Sequence, residues 1–92
     1  MSTFTKAPWR VSYKYSVWAG EKTPIAQLLS HETTDEETTA NAHLIAAAPD
    51  MYEALEFVRG FIEDYFVGDE DSGEPQEALR VVNKALKKAR GE

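Results

Sequence analysis

The sequence predicts an α+β fold, an antiparallel β-hairpin packed on two to three helices. Three observations predict it. Trp9, Val11, Tyr13, Tyr15 and Val17 alternate with Arg10, Ser12, Lys14 and Ser16, the period of two of a half-buried strand. Met51, Leu55, Val58, Ile62 and Tyr65 recur at steps of four and three, the apolar stripe of an amphipathic helix. Between them Ala48-Pro49 interrupts an alanine-rich segment, because proline lacks the N–H a helix interior needs and restricts the residue before it.

The first strand is expected over about 9–18, rich in the aromatic and β-branched residues that strands favour. Gly20 and Pro24 mark the connection, and a second strand follows over about 25–29. Thr34 with Glu37 three residues on is a capping box, so a first helix is read over about 35–48. Pro49 suits the first turn of a new helix, read over about 49–67, with Asp50 and Glu53 near the positive end of its dipole. Residues 68–74 are acidic and glycine-containing, a loop by composition. A third helix is expected over about 75–90, with Leu79, Val82, Leu86 and Ala89 on one side and Gly91 as its C-cap. The expectation is one domain, 1–92, whose core is shared by Trp9, Val11, Leu44, Leu55, Val58, Ile62, Leu79, Val82 and Leu86.

Composition narrows the function. With 92 residues the chain has no room for a second core, and it contains no cysteine. Thiol nucleophiles, zinc-thiolate sites and iron–sulfur clusters are thereby excluded. No apolar run reaches the roughly 20 residues that span a bilayer, and no signal peptide is read, so a soluble cytoplasmic protein is expected. Ten Lys+Arg against sixteen Asp+Glu leave a net charge of −6, which disfavours nucleic acid as a partner.

The histidines, His31 and His43, stand in no nucleophile or metal spacing, so no catalytic residue, metal or cofactor is assigned and no enzyme is expected. Residues 69–74 only begin like a calcium loop and lack its closing bidentate glutamate. Two sets of binding residues remain. Carboxylates at Glu63, Asp64, Asp69, Glu70, Asp71, Glu74 and Glu77 suit a basic groove on a protein partner. Arg10, Lys14 and Trp18 share one strand face, with Trp18 expected exposed near the hairpin tip. Together with His43 they offer charge and stacking to a small anion.

Two stretches carry a family resemblance. Ala40-Asn41-Ala42-His43-Leu44-Ile45-Ala46-Ala47-Ala48-Pro49 is similar to the Ala-Asn-Ala-Arg-Leu-Ile-Ala-Ala-Ala-Pro segment of a widespread group of small bacteriophage and prophage proteins. Lys6-Ala7-Pro8-Trp9 resembles that group's His-Thr-Pro-Gly-Pro-Trp start, and Lys88-Ala89-Arg90-Gly91-Glu92 its ending. His43 replaces the usual arginine. The resemblance implies a phage accessory protein and no particular activity.

The leading expectation is a non-enzymatic inhibitor of a host protein, a component of bacterial defence that binds nucleic acid. The alternatives are a sponge that sequesters a small signalling nucleotide, using Arg10, Lys14, Trp18 and His43, and a DNA-binding regulator using Lys84, Lys87, Lys88 and Arg90. A homodimer or larger homo-oligomer is also expected, because two strands leave open sheet edges and the second helix has two apolar sides.

Overall fold

The computed structural model describes residues 4–13, 15–66 and 73–92. In chain order the elements are β1 (Trp9–Ser12), β2 (Ser16–Ala19), β3 (Thr23–Gln27), α1 (Asp35–Ala46), α2 (Ala48–Phe66) and α3 (Gly73–Ala89). The fold is α+β, as the sequence predicts. The strands form one antiparallel sheet in the order β1-β2-β3. Two compact units divide the chain, Met1–Asp50 and Met51–Glu92, and each is described by itself.

The expected hairpin is built differently. The run from Trp9 to Trp18 is not one strand, because it turns back on itself at residues 13–15. Trp9 then pairs with Ala19, Arg10 with Trp18, Val11 with Val17 and Ser12 with Ser16. Tyr15 makes the reversal with a φ of +64°, the left-handed region that a bulky residue seldom enters. Its carbonyl accepts a hydrogen bond from the Leu28 N–H at 3.0 Å, which ties the turn to the end of β3. The third strand also starts earlier than expected, at Thr23, after a turn in which Gly20 takes φ +71°. Pro24 is tolerated there because β3 is an edge strand. The register slips between Val17 and Trp18, whose partners are Ala26 and Pro24, so Ile25 is the extra residue of a bulge.

Helix α1 begins as its capping box dictates. The Glu37 N–H donates to Thr34 Oγ1 at 3.1 Å, and Glu37 Oε1 accepts from the Thr34 N–H at 2.9 Å. Its buried side is small, Thr38 and Ala42, and it packs on β1 and β2. Thr38, only 1% exposed, donates its hydroxyl to the Thr34 carbonyl at 2.9 Å and also pairs with the Thr33 hydroxyl. The helix ends at Ala46 with Ala47 as its C-cap, just before the expected break, and Pro49 falls in the first turn of α2.

In the second unit α2 and α3 form a helical hairpin. The Arg90 guanidinium, just past the end of α3, hydrogen-bonds Tyr52 near the start of α2, so the helices run antiparallel. Tyr52, Ile62, Val82 and Leu86 are buried, and Leu55 and Leu79 are half-buried. Two expected core residues are exposed. Leu44 lies more than half a turn from Ala42, away from the buried side of α1. Val58 sits on a second side of α2 that nothing in its unit covers.

Burial sets the stability prediction. Truncating Leu86, fully buried, or Ile62 to alanine is expected to cost about 2–5 kcal/mol by urea unfolding. Leu44→Ala, at a site 60% exposed, is expected to shift stability by no more than about 0.5 kcal/mol.

Candidate interaction surfaces

The first unit has a shallow concavity where α1 meets the sheet. It encloses about 300 Å³ and is lined by Val11, Ser12, Tyr13, Tyr15, Thr39 and Ala42. Tyr15 frames it, and its phenol donates to Asp35 Oδ1 at 2.6 Å, in the first turn of α1. That bond, then burial and the nearby Asp35 charge, raise the phenol pKa above the ordinary tyrosine value. The floor of the concavity is apolar and its rim carries hydroxyls, so it offers shape more than charge. Neither Tyr15 nor Asp35 was singled out by sequence. The only available signal is an aromatic residue at a turn, and its partner is twenty residues away.

The cationic–aromatic set is brought together in part. Arg10 and Trp18 are cross-strand partners and so share a face of the sheet. Trp18 is half-buried rather than exposed at a tip, because it belongs to the central strand. Its indole N–H donates to Ser16 Oγ at 3.1 Å, while Arg10 Nε donates to the Gly20 carbonyl at 3.1 Å. Both groups are thus partly satisfied by their own sheet. His43 is exposed on α1, which lies over the opposite face, that of Val11 and Val17. Lys14 lies outside the described residues. The geometry therefore separates His43 from the Arg10–Trp18 pair.

The acidic set is described only in part, and two members were missed. Asp69, Glu70 and Asp71 lie outside the described residues, and Glu74 is placed only by its backbone in the first turn of α3. Glu77 is exposed on α3 but engaged: both its oxygens accept from Arg80, which holds its carboxyl below the usual carboxylate pKa. Such an exposed pair adds little stability. Glu63 and Asp64 are exposed on α2, and helical spacing puts Glu53 and the half-buried Glu56 on the same side. None of these four forms an ion pair among the described residues. Arg59, the single cation of α2, is half-buried and lies beside two of them, three residues after Glu56 and four before Glu63, yet forms no ion pair with either among the described residues. The missed signal was legible on a helical wheel, where 53, 56, 63 and 64 line up; Glu53 was assigned to the dipole instead.

The basic residues near the end of α3 differ in engagement, although Lys84, Lys87 and Lys88 stand at i, i+3 and i+4 on one side of the helix. Lys84, Lys87 and Lys88 are exposed, whereas Arg90 is bound to Tyr52 and, at 2.8 Å, to Glu92. Among the described residues no helix is long and apolar enough to cross a membrane.

The family model described as Salmonella phage P22 protein Y8K6 matches residues 1–92. The chain belongs to that family and is a small phage protein, in keeping with the resemblance read from its sequence. No curated protein and no solved structure matches it.

The Tyr15–Asp35 bond predicts a pH effect. A phenol whose pKa is raised in the folded state contributes stability that is complete below the ordinary tyrosine pKa. That contribution is lost as pH rises through the raised value, so the loss falls in the alkaline range. In a tyrosine absorbance titration, Asp35→Ala is expected to move one transition to lower pH. Tyr15→Phe should remove that same transition.

Proposed function

We propose that this phage protein works without catalysis, as an inhibitor that occupies a cation-rich site on a host protein. The host target on this reading is a nucleic-acid-binding component of bacterial defence. The observation that carries the reading is the row of unpaired carboxylates on α2, Glu53, Glu56, Glu63 and Asp64. At about 1.5 Å rise per residue, these four charges span roughly 16 Å of helix. One strand of DNA carries about one charge per 3.4 Å; the helix presents a sparser line of negative charge along a comparable length, with Arg59 in the gap between Glu56 and Glu63. A groove built to hold phosphates would accept such a helix, and the net charge of −6 would draw the two together from a distance.

Binding energy in such a pair comes from the contacts, whereas the charges govern approach. Reversing them should therefore act first on the association rate. After capture of the host partner at low salt and its purification, Glu63→Lys with Asp64→Lys is expected to slow association about 10-fold or more. A nucleic-acid oligonucleotide should compete with the phage protein for the same partner. A specific partner whose binding ignores both charge reversal and oligonucleotide would refute this reading.

A further inference from the structure

Helix α2 carries a second apolar side that its own hairpin leaves open. Met51, Ala54, Val58, Phe61 and Tyr65 follow steps of three and four, the spacing of a helix-packing seam, and all five are exposed. Phe57, 74% exposed, widens the seam, and the Phe61 and Tyr65 rings stack with centroids 4.7 Å apart. Helix α3 has a matching stripe of smaller residues, Ala78, Val81 and Ala85, also exposed. On each helix the stripe lies about a quarter turn from the buried side, in the same rotational sense. Because the helices run antiparallel, that common sense brings both stripes out on one side of the hairpin. The result is a continuous apolar face, edged along α2 by Glu53 and Asp64.

We infer that this face is covered by a second copy of the chain, making an antiparallel four-helix bundle in which α2 of each copy lies along α3 of the other. Three features favour a self-partner. The first is fit. The Tyr52–Arg90 bond joins the start of α2 to the end of α3, and counting along both helices from it would set Phe57 level with Ala85, Phe61 with Val81 and Tyr65 close to Ala78. A two-fold axis parallel to the helices preserves these levels between copies, so large side chains of α2 meet small ones of α3. Every neighbouring pair of helices is then antiparallel, the up-and-down bundle arrangement.

The second feature is charge. Glu53 and Asp64 border the face along α2, whereas Lys84 and Lys88 border it along α3, where Glu77 is already paired with Arg80. Laying α2 against α3 of the other copy sets an acidic border beside a basic one. Laying α2 on α2 would set carboxylates side by side. The third feature is area. From their fractional exposures, the six large apolar residues of this face (Val81 and the five on α2) leave about 600 Å² open. Two copies would bury about 1,200 Å², the lower bound for a specific interface.

This inference is independent of the proposed host partner, and its test uses the protein alone. Light scattering on the full chain at tens of micromolar is expected to give twice the chain mass of 10.3 kDa. Phe61→Asp is expected to return the mass to that of one chain with helicity retained. The chain has no cysteine, so single introduced thiols report proximity without background. Mixing Phe61→Cys with Val81→Cys under mild oxidation should give a mixed disulfide dimer that neither variant forms efficiently alone, since diagonal helices are too far apart. Should Phe61→Asp fail to fold, this cross-link decides the matter. A mass of 10.3 kDa across the concentration range would overturn the inference. So would cross-linking by Phe61→Cys alone, or a dimer that Phe61→Asp leaves intact.

Discussion

A helix that packs on a single neighbour can hide only one of its sides, and α2 has three sides of different character. One side, with Tyr52 and Ile62, is buried. A second is apolar and open, and a third is lined with carboxylates. A chain of this size without disulfides has little apolar burial to spare, so leaving Phe57 and Tyr65 in water is a notable loss of stabilisation. The placement makes sense when the open sides are surfaces for other molecules. A self-interface on the apolar side leaves Glu56 and Glu63 facing outward for a host partner, with Glu53 and Asp64 at the border between the two surfaces.

The N-terminal unit solves a different problem. Its helix is rich in alanine, and its buried side offers only Thr38 and Ala42. Hydrophobic area alone attaches such a helix weakly. Directed polar bonds supplement it: the reciprocal Thr34–Glu37 cap, the doubly satisfied Thr38 hydroxyl, and the Tyr15 phenol on Asp35. All are made at the first turn, so the helix is held chiefly at its N-terminal end. The small residues that follow let α1 come close to Val17, which is fully buried.

Much of this was legible in sequence because the signals were local. The capping box at Thr34 and the interruption at Pro49 are rules of backbone hydrogen bonding, and the structure follows both to within about a residue. The amphipathic period of α2 marked a helix correctly, but a period says nothing about which of two apolar sides meets a neighbour. Val58 was therefore misplaced. The reversal inside Trp9–Trp18 was hidden for a sharper reason. Alternation ran unbroken through residues 13–15, and Tyr-Lys-Tyr contains none of the glycine, asparagine or aspartate that usually announces a turn. What holds that turn lies far along the chain, at Leu28 and Asp35. The carboxylates were recognised as a cluster by composition. Their alignment came from helix geometry, which favoured Glu53 and Glu56 over the loop acids that the sequence made conspicuous.

Position 15 asks two incompatible things of one amino acid. Its backbone conformation suits glycine or asparagine, while its hydroxyl must reach across to Asp35. Glycine and asparagine cannot supply that reach, so relieving the backbone there discards the bond, and keeping the bond retains the strain. Changes at 15 and 35 therefore cannot be judged one at a time. Once Asp35 is lost, the bond no longer weighs against glycine at 15, and only the packing of the ring does. The order in which two substitutions arise would decide whether this lineage can pass through them.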